Sequence, residues 1–387
     1  MTSPGPAART ALDGVLVADF SRVLAGPYAT MLLADLGADV IKVERPGSGD
    51  DTRAWGPPWS ADGESTYFLG VNRNKRSVAL DLGTPAGLAN GLELARRADV
   101  VVENLKPGGM DRLGLGYDDV RAVNPGIVYA SITGFGRGAG ADLPGYDLLV
   151  QAVGGLMSVT GPEAGHPTKV GVALVDVITG LHAVIGIQAA LRHREHTGEG
   201  QRVEVNLLSS LLSALVNQTS GYAVAGVVPQ IMGNRHPSIA PYETLQAADK
   251  PLVLAVGNDR QFAALCVVLG RPELSEDQRF VTNPQRVAHR DALADELTAA
   301  LSTRPADDWF GDLTAAGVPC GPINDIAAAV DLASSLGLAP VVDAGGVPSV
   351  ADPLTLSATP VRYDRRPPAV GADSAEVLRW LAEGEPR

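Results

Sequence analysis

One carboxylate stands out because of its apolar surroundings. Asp176 lies within residues 170–180, where most of the other side chains are Val, Ala, Leu or Ile. An unpaired charge is costly to bury among such side chains, so the residue needs a partner or a chemical purpose. Two interpretations stay open. Asp176 is a nucleophile or acid–base group, or Asp176 or Thr179 caps the helix indicated by residues 181–191.

A second set of residues is suited to holding an anion. Short loops in the first third of the chain carry Arg22, Arg45, Arg53, Arg73, Lys75, Arg76, Lys106 and Arg112. A guanidinium matches the geometry of a phosphate group well. Most surface cations are simply solvated, so the importance of these residues depends on the elements that position them.

Alternating strands and helices bring several of these loops together. Apolar runs predict strands at 15–20, 39–44, 100–102 and 127–132, with helices beginning near Pro27 and at Thr84-Pro85. This alternation favours an α/β fold with a parallel sheet between helices. Ligands of such sheets bind beyond the carboxyl ends of the strands, which here carry residues 21–27, 44–47 and 103–108. We therefore expect a site there for a phosphate-bearing ligand.

The familiar phosphate and nucleophile motifs are missing from the sequence. There is no Walker-type loop and no G-x-S-x-G elbow. Residues 134–139 match G-x-G-x-x-A, but Pro144 and Gly145 follow where a dinucleotide site needs a helix. The six histidines show no metal-binding arrangement, and His193 and His196 are expected to be solvated. We predict neither a metal nor a permanently bound cofactor.

Composition sets the broad class. A chain of 387 residues, 45% hydrophobic and 19% charged, is typical of a globular enzyme with two domains. Its net charge of −13 argues against a nucleic-acid partner. Cys266 and Cys320 are the only cysteines, which fits a reducing cytoplasm. Residues 1–6 lack a signal-peptide pattern and no apolar run reaches membrane-spanning length, so we expect no membrane association.

The order of short motifs along the chain resembles the class III CoA-transferases. Matching segments cover almost the whole chain and lie at 19–27, 36–44, 47–53, 72–77, 103–104, 145–147, around Asp176, and at 197–201, 233–237 and 316–319. The α-methylacyl-CoA racemases belong to the same superfamily. The resemblance therefore indicates CoA-dependent chemistry without fixing the reaction.

The resemblance also implies an architecture. We expect a large, Rossmann-like CoA-binding domain made of residues 1–224 and 326–387. A smaller α+β domain, residues 225–325, is inserted between these segments. Two such chains would interlock as a homodimer, in which a folded monomer is not an independent species.

Site residues follow from the same resemblance. Asp176 aligns with the nucleophile, which attacks an acyl-CoA thioester and then carries CoA to a carboxylic-acid acceptor. The residues that would hold coenzyme A, a substrate, are Leu24, Ala25, Arg45, Leu80, Asn104, Leu105, Lys106 and Arg112. Tyr146, Asp147 and His236 would lie on the substrate side.

Tyr146 separates two reactions of the superfamily. The racemases have a histidine there, which pairs with the aspartate to move an α-proton. A tyrosine, with an ordinary pKa of about 10, is better suited to donate a hydrogen bond, so transferase chemistry is favoured. Asp259 resembles the small-domain acid of racemases and keeps that alternative open. A third alternative is a CoA-binding protein without activity, in which Asp176 is only a cap.

The acceptor is less well indicated. The formyl/oxalate branch carries a glutamine and a lysine where this chain has Leu24 and Pro144, which argues against oxalate. The breadth of the family that the chain resembles, together with the basic segment Arg235-His236, favours succinyl-CoA as donor with a dicarboxylic or hydroxy-acid acceptor. Pro237 and Pro241 each fix a backbone angle, which argues against a flexible glycine flap in that segment.

Overall fold

The computed structural model describes residues 10–383, which form two compact units. Of the described residues, the large unit contains 10–156, 170–227 and 339–383. The small unit contains 157–169 and 228–338. It therefore extends beyond the insert expected at 225–325, and that division into folding domains stays a prediction.

Eleven strands lie within residues 10–383. They are β1 Leu16–Asp19, β2 Asp39–Glu44, β3 Lys75–Ala79, β4 Val100–Glu103, β5 Val128–Thr133, β6 Gln201–Asn206, β7 Tyr242–Gln246, β8 Pro251–Ala255, β9 Cys320–Pro322, β10 Val341–Ala344 and β11 Val347–Val350.

The same residues contain sixteen α-helices. They are α1 Ala25–Asp35, α2 Thr66–Leu69, α3 Pro85–Arg97, α4 Gly109–Arg112, α5 Tyr117–Val123, α6 Asp147–Val153, α7 Leu156–Val159, α8 Leu174–Thr197, α9 Leu207–Ala214, α10 Val216–Ala225, α11 Asp259–Val268, α12 Asn283–Ala288, α13 Arg290–Leu301, α14 Ala306–Ala315, α15 Ile326–Ser335 and α16 Ser374–Glu383. Short 3₁₀ turns occur at Asp51–Ala54 and Pro272–Ser275.

The large unit is built on a six-stranded parallel sheet in the order β3-β2-β1-β4-β5-β6. Side chains alternate between its faces: Val17 joins the core under α1 and α8, while Leu16 and Ala18 join the core under α3 and α5. The predicted α/β class is confirmed. Strand order reverses between β1 and β4, and this switch point is where such sheets bind ligands.

Helix α8 is the longest helix of the large unit. With 24 residues and a mean hydropathy of 1.7 over its most apolar window, it is long and apolar enough to cross a membrane by length and composition. This corrects the expectation that no apolar run reaches that length. In this fold α8 packs against α1, α9, β5 and β6, and Val175, Ala183 and Ile187 join the core.

The C-terminal segment completes the edge of the sheet. Asp373 accepts a hydrogen bond from the Ser77 amide (2.8 Å), and Ser374 accepts one from the Ala79 amide (3.0 Å). Both amides belong to the edge strand β3. Residues more than 290 positions away therefore satisfy part of the exposed edge that a terminal strand would otherwise present.

The small unit has its own core. Its three-stranded antiparallel sheet has the order β7-β8-β9. Leu252 and Leu254 of β8 pack with Phe262 of α11 and with Trp309 and Leu313 of α14. Its sheet is antiparallel, and four helices, α11 to α14, intervene between β8 and β9, as in α+β units.

Candidate functional site

The loops that follow β1, β4 and β5 enclose a cavity of about 380 Å³, here called the Asp176 cavity. Its lining consists of Arg22, Val23, Leu24, Ala25, Asp51, Asn104, Leu105, Lys106, Pro107, Ile132, Thr133, Gly134, Asp142, Leu143, Pro144, Gly145, Tyr146, Asp176 and Leu207. Seven of the predicted site residues are among them. The parallel sheet thus collects residues that are up to 152 positions apart in sequence, from Leu24 to Asp176.

A second cavity of about 310 Å³, the Leu80 cavity, lies on the β2 side of the switch point. Its lining includes Phe20, Leu80, Leu82, Met110 and Leu113 together with Arg45. Arg22 and Leu105 line both cavities, so the two spaces are neighbours. Of the remaining predicted residues, Arg112 and Asp147 lie in the large unit outside both linings, and His236 belongs to the small unit.

Asp176 lies in the first turn of α8 but does not cap it. The helix begins at Leu174, and Ala173 at the N-cap offers no side-chain acceptor. Asp147, from the start of α6, takes that role: its Oδ1 accepts hydrogen bonds from the amides of Val175 (2.8 Å) and Asp176 (3.1 Å). The Asp176 carboxylate is therefore not needed for capping.

Gln151 extends this support and was not indicated by the sequence. Its side chain is buried, and Nε2 donates to Asp147 Oδ2 (2.6 Å) while Oε1 accepts from the Val170 amide (2.9 Å). Asp147 and Gln151 together fix the segment that leads into α8. Both Asp147 oxygens are used in this way, and its predicted place on the substrate side stays a prediction.

The electrostatic surroundings of Asp176 are unfavourable to its charge. Burial, with a further contribution from the Asp147 carboxylate, raises the pKa of Asp176 to about 7. Within residues 10–383, no cation forms an ion pair with it. A carboxyl group that titrates near neutral pH beside a cavity is a candidate for chemistry.

Tyr67 is a neighbour that sequence reasoning missed. It packs in the cluster that contains Val23, Leu24 and Val177. Burial, followed by the charges of Asp176 and two other carboxylates, raises its pKa to about 12. The sequence gives no signal of this proximity, because Tyr67 and Asp176 are far apart along the chain and come together only in the folded unit.

Gly180 brings α8 against the start of α1. A Cβ at this position would lie 2.8 Å from the Ala25 carbonyl oxygen and 3.1 Å from the ring of Tyr28. Only glycine allows α8 to approach the start of α1 this closely. The close approach explains how Asp176 and Ala25 come to line one cavity.

Several of the predicted phosphate-binding cations are already paired. Arg45 pairs with Asp51, and Lys106 Nζ lies 2.9 Å from Asp142. These groups are exposed, and exposed pairs are weak enough to exchange partners with an incoming anion. Arg112 is exposed at the end of α4 and has no acidic partner in the part of the chain that the structure describes.

Asn104 links the two central loops of the switch point. Its Oδ1 accepts from the Arg22 amide (2.8 Å), and its Nδ2 donates to the Arg22 carbonyl (2.7 Å). The Asn104 side chain thereby makes the same pair of hydrogen bonds to the loop after β1 that a neighbouring strand would make. The Asn104 amide can therefore contact a ligand only through its second N–H or through the second lone pair of Oδ1.

In the small unit, His236 lies in a firmly held loop. Its Nδ1 accepts from the Ser238 amide (3.0 Å), which leaves Nε2 as the donor of a neutral ring. Arg290 donates to the carbonyls of His236 and Pro237, and Asn283 binds the Ala240 amide. These contacts agree with the expectation that the segment is not a flexible flap.

Two other charged residues singled out in the small unit, Arg235 and Asp259, already form ion pairs. The Arg235 guanidinium binds Glu243 (3.0 Å) and Asp291 (2.6 Å), so the segment with His236 is less basic than its sequence indicates. Asp259 pairs with the fully buried Arg286 (2.7 Å). Among residues 10–383, no three His, Cys, Asp or Glu side chains are grouped as a metal site requires.

The architecture is shared with a known class of α/β proteins. A solved structure of a CAIB/BAIF family protein from Brucella suis has a TM-score of 0.87 and 43% sequence identity, covering 96% of this chain and all of that one (100%). The two-unit fold and its parallel sheet are therefore those of the CAIB/BAIF class.

Sequence comparison gives the family. The model of CoA-transferase family III matches residues 12–374. A succinate–glutarate CoA-transferase of Agrobacterium fabrum is 45% identical over 97% of both chains. An acetyl-CoA:oxalate CoA-transferase of Acetobacter aceti is 44% identical over 92% of both. The chain belongs to CoA-transferase family III, and the predicted enzyme class, a CoA-transferase, is confirmed.

Proposed function

We propose that this protein moves CoA from succinyl-CoA to a dicarboxylic acid, with the Asp176 carboxylate as the covalent nucleophile. The observation that carries the proposal is the setting of Asp176. It lines a cavity at the switch point of the sheet, is relieved of capping by Asp147, and has a pKa raised by burial to about 7. A desolvated carboxylate of this kind is more reactive than one stabilised by water or a cation.

The neighbouring cavities suit the parts of coenzyme A. The Leu80 cavity offers apolar walls for the adenine ring, and the exposed Arg45 guanidinium in its lining suits a phosphate group. Because Leu105 lines both cavities, one elongated ligand can occupy them in series, with its thioester in the Asp176 cavity. In this arrangement Leu24, Ala25, Asn104 and Lys106 contact the part of CoA nearer the thioester.

The first half-reaction consists of two displacements. Asp176 attacks the thioester carbonyl of the donor, the C–S bond breaks, and a mixed anhydride and CoA thiolate form. The thiolate then attacks the aspartyl carbonyl and releases the donor acid as a carboxylate. CoA is left as a thioester on Asp176.

The second half-reaction repeats these steps in reverse. The acceptor carboxylate attacks the aspartyl thioester and releases thiolate, which attacks the acceptor's own carbonyl in the new anhydride. The Asp176 carboxylate is regenerated and acyl-CoA leaves. One thioester is made for each one broken, so no ATP is consumed, and water must be excluded because it would hydrolyse the anhydride.

A dicarboxylic acceptor is favoured by the relatives named for succinate–glutarate transfer. Leu24 and Pro144, both in the lining of the Asp176 cavity, remain an argument against oxalate. That argument is weakened by the relative named for oxalate, which is nearly as similar. We therefore place glutarate and other longer dicarboxylates ahead of oxalate.

Racemase chemistry is the second candidate. It needs two bases on opposite faces of an α-carbon. Tyr146 lines the Asp176 cavity but is a poor base, and the Asp259 carboxylate is bound to Arg286. A protein that only binds CoA is the third candidate, and the capping of α8 by Asp147 leaves Asp176 without the structural role that this alternative needs.

The proposal includes a homodimer in the cytoplasm. Apolar side chains of α15 and of the segment after it are exposed in the single chain, among them Ile326 (83%) and Leu336 (67%). A second copy covering such surfaces agrees with the interlocked dimer implied by the family resemblance. Cys266 and Cys320 are free thiols, which suits a reducing compartment.

The test is intact-mass analysis after incubation with succinyl-CoA. Wild-type protein should gain the mass of CoA less one water, and hydroxylamine should remove the adduct by cleaving the thioester. Asp176→Asn, which preserves shape but lacks the nucleophile, should show no adduct. Mixtures with glutarate or oxalate should then lose the adduct and yield the new acyl-CoA, which ranks the acceptors.

A parallel incubation in deuterated water with a 2-methylacyl-CoA distinguishes the alternatives. Deuterium uptake at the α-carbon without a protein adduct would overturn the transferase proposal in favour of the racemase. Binding of succinyl-CoA with neither adduct nor exchange would favour the non-catalytic alternative.

A further inference from the structure

The loop between β1 and α1 contains a strained residue. Val23 has φ +71°, in the left-handed region that a β-branched side chain rarely adopts. Leu24 and Ala25, which follow directly, line the Asp176 cavity. Strain of this kind persists only where the surrounding structure imposes it, and it is concentrated at functional sites.

A buried ion pair imposes this conformation from beneath the loop. Lys42 Nζ lies 2.8 Å from Asp50 Oδ2 and donates to the Ser21 carbonyl (3.0 Å). The Asp50 carboxylate accepts the Val23 amide, at 3.4 and 3.3 Å to its two oxygens. The pair therefore binds the backbone on both sides of Arg22, which Asn104 fixes independently.

The pair is almost completely buried, and both residues border the Leu80 cavity. Lys42 and Asp50 expose 0% and 2% of their surfaces. Asp50 also accepts hydrogen bonds from the amide (3.0 Å) and hydroxyl (2.8 Å) of Thr52, so every strong acceptor position is used. Burial alone would lower the pKa of Lys42, but Asp19, Asp50 and Glu44 outweigh it and raise that pKa.

These contacts have no part in the proposed chemical steps, yet they end at the loop that lines the cavity. We propose that Lys42 and Asp50 are positioning residues, which hold residues 21–24 in the conformation that receives CoA. This inference depends on the proposed function, since it assigns a role within that binding site. A misplacement of about 1 Å in a site that orients a substrate can cost about a hundredfold in rate.

Asp50→Asn tests the inference, with Asp35→Asn as the matched control. Asp35 is equally buried and is paired with Arg73 (2.7 Å), but it lies at the far end of α1 from the loop. Calorimetric titration with CoA should show dissociation constants raised about tenfold or more for Asp50→Asn and within about twofold of wild type for Asp35→Asn. In turnover assays, the KM for succinyl-CoA should rise more than kcat falls.

A second substitution separates positioning from general stability. Glycine adopts a φ of +71° without strain, so Val23→Gly in the Asp50→Asn background should recover at least about threefold of the lost affinity. A merely structural role would change the melting temperature without changing the affinity of the folded protein. Should Asp50→Asn fail to fold, Lys42→Gln, which keeps a donor for the Ser21 carbonyl, takes its place with the same expected results.

The outcomes separate the two proposals. If wild-type protein does not bind CoA at all, the proposed function fails. If wild type binds CoA and Asp50→Asn binds it as tightly as Asp35→Asn does, the positioning role alone is overturned.

Discussion

Asp50 and Asp176 lie in the same unit but in opposite electrostatic surroundings. Burial alone would raise the pKa of Asp50, but Lys42 and the hydrogen bonds from Thr52 hold it below its usual value. Asp176 is partly buried, but its charged neighbour is another carboxylate, Asp147, and its pKa rises to about 7. Burial thus acts on both carboxylates, and the neighbouring charge distinguishes them.

The largest expected effect comes from removing the Asp176 carboxylate. Asp176→Asn should lower transferase activity by about a thousandfold or more, because the proposed mechanism forms its covalent intermediate on this group. It should also stabilise the fold. Between the unfolded pKa near 4 and the folded value of about 7 the native state binds the extra proton, so the charge of Asp176 costs stability as pH rises through that range.

Urea unfolding at several pH values measures this second effect. The gain for Asp176→Asn should be about 1 to 3 kcal/mol above pH 7 and should shrink as pH is lowered toward 4. An equal gain at every pH would contradict the electrostatic explanation, because a packing improvement would not follow the titration of Asp176.

Removing the Lys42 cation should make the electrostatic surroundings of Asp50 resemble those of Asp176. Lys42→Met leaves Asp50 buried without its partner, which should destabilise the fold by about 3 to 5 kcal/mol at neutral pH. The loss should become smaller as pH falls, because Asp50 can then take up a proton. The pH dependence of the urea midpoint checks this.

The double variant Lys42→Met/Asp50→Asn is the control for that experiment, since it removes both charges. It should recover part of the stability at neutral pH and lose the part of the pH dependence that comes from Asp50, while Asp19 and Glu44, which also face Lys42, keep theirs. A Lys42→Met loss that stays the same from acid to neutral pH would show that Lys42 does not keep Asp50 ionised.

A smaller effect is expected from changing the neighbour of Asp176. Asp147→Asn keeps an oxygen that can accept the Val175 and Asp176 amides but removes the negative charge. Wild-type kcat/KM for succinyl-CoA should rise through about pH 7 as Asp176 ionises, and this limb should move to lower pH in the variant. A change of a few-fold at mildly acidic pH is expected.

Profiles of kcat/KM over about four pH units test this prediction, with Gln151→Glu as a comparison that adds charge to the same network. An unchanged limb in Asp147→Asn would indicate that burial alone sets the pKa of Asp176.

Local sequence signals found most of the sheet. The apolar run 39–44 corresponds to β2, and Thr84-Pro85 predicted the start of α3, where Thr84 caps the helix through the Gly87 amide. Strand β3 was not predicted because Lys75 and Arg76 interrupt its apolar pattern. Both are neutralised only in the folded sheet, by Asp19 (3.2 Å) and Asp39 (2.5 Å).

The sequence predicts residues of the candidate site better than it predicts the hydrogen bonds between them. Alternating elements and family resemblance brought together Asp176, Leu24 and Asn104, which line one cavity. The capping of α8 by Asp147 joins residues 28 and 29 positions apart, which are separated by the rest of α6, by α7 and by an irregular segment. Contacts of this kind depend on the path of the whole chain, which neither spacing nor propensity encodes.

The return of the C-terminal segment to β3 has a consequence for synthesis on the ribosome. Residues 228–338 form nearly all of the small unit as one continuous stretch, so this unit can assemble while later residues are still being added. The edge amides of Ser77 and Ala79 must wait until residues 373 and 374 have emerged. Strand β3 is translated early but is therefore among the last parts of the sheet to be completed. Until residues 373 and 374 are available, β3 is the edge strand that a chaperone would have to protect.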